Sequence, residues 1–329
     1  NIPELFSLGE PGHWRSTVVP DFHFHDNHGY DLYPFSVSPR GDPMMVFRKL
    51  LRKLFLFLLT LPVLFFIFFP ILWLFSASLS TQAELYAIPP HWIPQHPTFQ
   101  NYLDIVFPSL ATSSVPRTFA VALMNSFKIA SAVTVICILI GSLAAYALVR
   151  IPFRFNRTIQ LGIIATRMIP EVSLILPLFI IASSLGLINK PIVLIMAYMS
   201  FALPYAIWMM AAFFQTVPIE LEDAARIDGC TRLGILFRVV MPISVPGLVS
   251  TAMFTFLLAW DEFFYALIFT STLAAKTAPV AIAEFVGRYA VNINGMMAGG
   301  IIAALPPVLL AFIFQRYIVS GLTAGAVKG

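Results

Sequence analysis

Charge is scarce in this 329-residue chain. Asp, Glu, Lys and Arg together make up 11% of it, against about 25% in ordinary soluble domains. A water-facing surface over the whole length is therefore excluded. Cysteine is nearly missing as well: Cys137 and Cys230 are the two, too few for a disulfide framework or a thiolate metal spacing. Cys137 lies in an apolar stretch and Cys230 in a polar one, and both read as ordinary thiols. No Gly-rich loop ending in Lys-Ser/Thr is present to cradle nucleotide phosphates. No Ser/Cys–His–acid set or transition-metal cluster converges either, so a membrane enzyme finds no residues to carry it. If the chain takes part in ATP-driven work, the energy source is another polypeptide.

What the chain has is apolar length. Hydrophobic residues make up 59%, mean hydropathy is +0.85, and Phe alone supplies 31 residues. A helix needs about 20 apolar residues to cross a bilayer. Runs of that kind occur at 54–75, at 129–149 with an extension back to 118, at 159–187, at 191–214, at 239–260 with an extension towards 269, and at 296–317. The first begins too deep in the chain, and is too long, to be a cleaved signal peptide.

Six spans put both termini on one side. Fourteen of the Lys and Arg residues then fall on that side, and four, Arg117, Lys190, Lys276 and Arg288, on the other. Cytoplasmic flanks carry the basic excess, so both ends are expected in the cytoplasm. Arg48, Lys49, Arg52 and Lys53 stand immediately before the first run and read as an anchor against membrane lipids. No recognition helix accompanies them, so nucleic acid is not an expected partner.

Residues 1–46 read as a polar, flexible cytoplasmic tail. His23, His25 and His28 could chelate a cation at such spacing, but a solvated polar tail is the favoured account of them, and no metal site is assigned. The six-helix domain is expected over 47–329. Its longest external segment, 76–117, carries Pro89, Pro90, Pro94, Pro97 and Trp92 and reads as an ordered surface lobe. Tyr102, Ile105 and Val106 suggest a short amphipathic helix there.

The segment 215–242, between the fourth and fifth spans, is too polar and too short to cross a membrane. From Pro218 to Gly229 it reads as a helix of about three turns. Acidic residues near its start suit the positive end of the helix dipole, and Gly229 suits the position just past its end. Leu221, Ala224, Ala225 and Asp228 share one face by spacing, and Glu222 and Arg226 another. Small side chains at the centre of an exposed helix admit a partner surface, so the segment is a candidate docking element. An interfacial helix between spans is the alternative.

Asp223-Ala224-Ala225, three residues, Gly229, nine residues, Val239, one residue and then Met241-Pro242 resembles the EAA loop of binding-protein-dependent ABC import permeases. That loop begins with Glu and ends Ile-x-Leu-Pro, where this chain has Asp223, Val239 and Met241. The resemblance runs from about residue 47 to 329, through Asn125-Ser126, Ala144-Ala145-Tyr146-Ala147, Met168-Ile169-Pro170, Trp260-Asp261-Glu262-Phe263 and the tail from Gln315-Arg316. It is similar to the second permease subunit of maltose- and trehalose-type carbohydrate importers.

The resemblance implies an all-α polytopic type I importer permease of six spans with a cytoplasmic EAA coupling helix, in a bacterial or archaeal cytoplasmic membrane. It implies a homologous permease partner, two ATP-binding subunits or a homodimer of one, and an extracytoplasmic sugar-binding protein. ATP and Mg would sit on the ATPase subunits, with no cofactor in this chain. Glu222, Asp223, Ala224, Ala225, Arg226, Asp228, Gly229 and Pro242 become coupling residues. The stretch 271–294 corresponds in place to a loop that approaches the sugar. A trehalose- or maltose-like disaccharide is the leading substrate class, with other glycosides and polyols open.

Polar residues inside the apolar runs are the remaining candidates. Arg167 and Glu171, four apart around Pro170, could pair on one helical face, and charges at membrane depth face protein or a wet cavity. Asp261 and Glu262, pointing in different directions around a helix, could line an outer mouth with Trp260. Asn125, Tyr198 and Tyr205 are further pathway candidates, as is Ser126, although such residues more often serve packing or helix–helix hydrogen bonding than substrate recognition. An ion-coupled secondary transporter is the rival reading, since such proteins also place charges at broken helices. It has no need of an ATPase-docking helix.

Overall fold

The computed structural model describes residues 43–89, 91–107, 114–286 and 292–326. Two compact units are distinguished, one ending at Leu61 and the other beginning at Pro62. The tail, His23, His25 and His28 included, lies outside the described residues up to position 42. From there α1 (Pro43–Leu79) is already helical, so helix begins inside the segment read as tail.

Every described element other than turns is helical, as a bilayer demands of a chain that must satisfy its own backbone groups. After α1 come α2 (Gln82–Leu85), α3 (Gln100–Val106), α4 (Ser114–Arg150), α5 (Asn156–Thr166), α6 (Glu171–Ser184) and α7 (Pro191–Phe214). They are followed by α8 (Ile219–Ile227), α9 (Arg232–Ile235), a π-helical turn (Leu236–Val240), α10 (Met241–Ile243) and α11 (Val245–Trp260). The last are α12 (Phe264–Phe269), α13 (Ala278–Ala283) and α14 (Ile293–Ala326).

Four stretches are long and apolar enough to span: Leu50–Leu79, Thr118–Arg150, Pro191–Phe214 and Ile293–Tyr317. Two more candidates are bent pairs. α5 and α6 meet at 92°, and Arg232–Ile243 meets Val245–Trp260 at 85°. The protein is thus an all-α polytopic membrane protein with four to six candidate spans. Both bends differ from the straight runs expected at 159–187 and 239–260. At the first, Pro170 lacks an N–H and disfavours helical geometry at the residue before it. At the second, helix breaks at Ser244 between Pro242 and Pro246.

The core of the unit from Pro62 onward is the seam of α4 with α7, and α11 covers both. Small side chains let the backbones approach, as between membrane helices generally. Ala130, Ala145, Ala202 and Ala206 are fully buried, and a Cβ on Gly141 would lie 3.3 Å from the Cβ of Ala206. Ser142 and Thr255 along the seam bond back to their own helices, at Ile138 O and Thr251 O, which satisfies these hydroxyls inside the apolar interior. By contrast the apolar side chains from Leu50 to Leu72 are exposed. Such a helix, apolar all round, is solvated by lipid.

The lobe after α1 is ordered by polar contacts. Asn101 Nδ2 donates to Ser78 O at 2.9 Å, and Asn294 Nδ2 to Ser80 O at 2.5 Å and Ala77 O at 3.2 Å, which serves carbonyls that the helix end leaves open. Glu84 accepts from the backbone N–H groups of Thr81 and His96. Desolvation pushes its carboxyl up, but these donors outweigh it and hold the group below its ordinary value. The expected amphipathic helix is α3, with Ile105 turned inward and Val106 outward.

Candidate coupling site and membrane-embedded polar residues

α8 is built as its sequence dictates. Pro218 precedes its first turn, Glu220 and Glu222 lie near its N-terminus, and Arg226 lies in its last turn, each on the favourable end of the dipole. Gly229 has φ +83°. Cys230 N donates to Ala225 O at 3.0 Å and Gly229 N to Arg226 O at 3.1 Å, the paired bonds of a Schellman stop. The chain then turns through α9 towards α11.

The faces of α8 divide differently from the spacing argument. Glu222 is 1% exposed and Ala225 9%, and both face the permease itself. Ala224 is exposed, as are Leu221, Ile227 and Asp228. The expected grouping of Ala225 with Leu221, Ala224 and Asp228 is corrected accordingly. Ala225 packs in a cluster with Tyr146, Phe214, Val217 and Leu236, because a three-residue step from Glu222 carries it to the same inward side. Asp223 pairs with Arg226 at 2.8 Å on the exposed side, and Pro242 is exposed in the elbow before α11.

Among the membrane-embedded candidates, Arg167, Glu171 and Tyr205 come together. Arg167 Nη1 donates to Phe201 O at 2.9 Å. Its guanidinium carbon lies 5.7 Å from the Tyr205 ring centroid, and Glu171 Oε1 stands 3.8 Å away. The two charges do not share one helical face. α5 ends before Arg167 and α6 begins at Glu171, so the pair bridges the break. Both side chains are open, at 37% and 49%, and a pair so loose contributes about 0–1 kcal/mol where water reaches it. A cleft of about 290 Å³ lined by Ile163, Ile164, Arg167, Pro204, Tyr205 and Trp208 adjoins them.

Trp260 and Tyr198 are placed otherwise. Trp260 is 3% exposed and donates Nε1 to Ala303 O at 3.1 Å, joining α11 to α14. Tyr198 is fully buried among Phe201 and Tyr265. As placed, both pack the core rather than line an open passage. The helix expected to continue from 260 towards 269 breaks at Asp261. Glu262 then accepts from Tyr265 N at 3.0 Å and Ala266 N at 3.2 Å, so its carboxylate serves the open donors of α12, and Asp261 is left exposed.

Asn125 lies near the start of α4, two residues before Phe127, whose ring meets Phe256 of α11. Its Nδ2 donates to Leu273 O at 2.9 Å and Lys276 O at 3.1 Å, and Ser126 Oγ accepts from Ala278 N. These bonds seat the base of the segment after α12, whose residues 287–291 lie outside the described ones. Asn189, which sequence reasoning missed, holds the same segment. Its Oδ1 accepts from Ser271 N and from Thr272 N, the latter at 3.1 Å, and its φ is +64°, a conformation Asn tolerates better than most residues. The residues Asn189-Lys190-Pro191 before a long apolar run were the available signal.

Two further residues were missed. Tyr265 donates to Glu171 O at 3.0 Å and touches Tyr198, so it links two candidates that lie far apart in sequence. Arg150 closes α4 and makes an ion pair with Glu222. Tyr146, in the quoted Ala-Ala-Tyr-Ala motif, donates to the same carboxylate.

Residues 137–324 match the family described as binding-protein-dependent transport system inner membrane component. The sulfoquinovosyl glycerol transport system permease protein SmoH of Agrobacterium fabrum is 41% identical over 261 residues, 79% of this chain and 89% of that protein. The trehalose transport system permease protein SugB of Mycobacterium tuberculosis is 40% identical over 262 residues, 79% and 92%. The trehalose/maltose transport system permease protein MalG of Thermococcus litoralis is 35% identical over 282 residues, 85% and 99%. In fold, the chain is like a crystal structure of a bacterial ABC transporter involved in importing the acidic polysaccharide alginate, with a TM-score of 0.66 at 19% identity over 85% of this chain and 99% of that one. Family and fold together set aside the secondary-transporter reading, and the chain belongs to the binding-protein-dependent transport system inner membrane components: it is a permease subunit and not an enzyme.

Proposed function

We infer that this permease serves an ATP-driven carbohydrate importer, takes a trehalose- or maltose-like disaccharide, and uses α8 to dock on an ATPase subunit. The observation that carries the carbohydrate reading is the identity of 35–41% with permeases named for glycoside and disaccharide transport. In this reading each bent pair counts as one span, which gives six, and both termini and α8 lie in the cytoplasm. A homologous permease completes the pathway, two ATP-binding subunits carry ATP and Mg, and an external sugar-binding protein delivers the substrate. Arg167, Glu171 and Tyr205, beside their cleft, are the gate candidates. Asn125, Tyr198, Trp260, Asp261 and Glu262 support the pathway from around it.

The assembled transporter, reconstituted in vesicles with its receptor, tests the substrate. ATP-dependent uptake of labelled trehalose or maltose is expected, and uptake of another glycoside that neither disaccharide competes would overturn the assignment. Orientation has a native probe. Cys230 is half-buried at the end of α8, whereas Cys137 is fully buried in α4. A membrane-impermeant maleimide is expected to label Cys230 in inside-out vesicles and not in intact cells. Labelling from outside intact cells would reverse the topology.

A further inference from the structure

A single guanidinium gathers α4, the end of α7 and α8. Arg150 is the last residue of α4. Its Nε donates to Glu222 Oε1 at 2.5 Å. Its Nη2 donates to Phe214 O at 2.9 Å and to Val217 O at 2.6 Å, which serves carbonyls at and beyond the C-terminus of α7. A cation at that end also meets the negative pole of the helix dipole. Tyr146, one turn earlier on α4, donates its hydroxyl to Glu222 Oε2 at 3.0 Å. Both carboxylate oxygens are therefore engaged, and the Glu222 side chain is 1% exposed.

A carboxylate on a short polar helix is ordinarily left in water, because burial is costly unless the charge is paired and bonded. Here the pairing is complete, and it fixes the inward side of α8 to α4 and α7 at once. Ala225, one turn on, completes the seat in the same apolar cluster. The outward side, with Ala224, stays free.

We propose that Arg150, Glu222 and Tyr146 form the node through which movement of α8 is transmitted to α4 and α7. All three are positioning residues within the permease, none of them an ATPase contact. The inference rests on the docking role of α8 given above. Arg150 is suited to the role because its planar fork reaches Glu222 and two α7-end carbonyls together, which the point charge of Lys cannot do. An ion pair alone would need only opposite charges. This node needs the fork.

The test uses the whole transporter in proteoliposomes with Glu222→Gln, Arg150→Lys and Tyr146→Phe, each first checked for insertion and co-purification of the ATPase subunits. With assembly intact, both Glu222→Gln and Arg150→Lys are expected to raise the ATP hydrolysed per sugar imported about tenfold, the first because the buried guanidinium loses its counter-charge, the second because an ammonium lacks the fork that serves Glu222 and both carbonyls together. Tyr146→Phe, which loses one bond, should raise it about twofold. Exchanging the charges, Arg150→Glu with Glu222→Arg, is expected not to restore coupling, because a carboxylate at the end of α4 would face the carbonyls of Phe214 and Val217 with no donor to offer them. Unaltered coupling in Glu222→Gln and Arg150→Lys overturns the node. So does restoration by the charge exchange, or a loss confined to insertion and assembly. A wild-type assembly without ATP-driven uptake would instead overturn the docking reading and this inference with it.

Discussion

Replacing Ala224 with Leu is expected to abolish binding of an ATPase subunit while the permease still inserts and stays folded. Ala225→Leu is expected to do the opposite. Ala224 is exposed on α8, so a larger side chain there meets nothing within this chain and fills the space a docked partner needs. Ala225 is 9% exposed, against Tyr146, Phe214 and Val217. Added methylenes there overpack the seat of the helix, at about 1–3 kcal/mol. The measurement is paired: melting temperature of the permease, and co-purification of the ATPase subunits. Ala224→Leu should melt as the wild type and lose at least about tenfold in affinity, or about 1.4 kcal/mol. Ala225→Leu should melt earlier. Normal ATPase binding by Ala224→Leu would sink the docking assignment, and an equal fall in stability in both variants would show that exposure does not distinguish the two alanines.

That contrast also marks where sequence reasoning stopped. Apolar run length reports how far a helix can reach through lipid, and the runs at 54–75, 129–149, 191–214 and 296–317 each fall within one helix. It reports nothing about direction. Residues 159–187 and 239–260 are apolar on both sides of their bends, so hydropathy reads through Ser244 as if the chain were straight. Pro170 was a visible breaker, yet spacing arguments still placed Arg167 and Glu171 on a continuous face. The helix Ile219–Ile227 was legible from Pro218 and Gly229 because caps and stops are local chemistry. Its inward face was not, since Glu222 reads as a solvated acid until Arg150, 72 residues earlier, is brought beneath it. Trp260 and Glu262 failed for a related reason. Their partners, Ala303 O and the N–H groups of α12, are backbone atoms that no pattern of side chains records.

A methyl group added at Gly247 is expected to be among the most damaging of small changes to the membrane domain, and a change at Phe213 should compensate it. Gly247 is buried in the first turn of α11, and a Cβ built there would overlap the ring of Phe213. Phe213 lies in the last turn of α7, so this contact sets the separation of the two legs from which the segment 215–242 hangs. The ring is rigid and half-buried, and it cannot yield without moving α7 or leaving its rotamer. Gly247→Ala should therefore destabilise the permease by about 1–3 kcal/mol. The melting temperature of the purified transporter would fall, and uptake would fall with it. Phe213→Leu alone should cost less, since the side chain keeps most of its apolar contact. In the double variant the new methyl occupies space the ring has left, so the combined loss should fall short of the sum of the single losses by about 0.5–3 kcal/mol. Gly247→Ala melting as the wild type would mean the ring moves freely. Strictly additive losses would mean the overlap is relieved elsewhere, and either result would remove Phe213 from the role of spacer between α7 and α11.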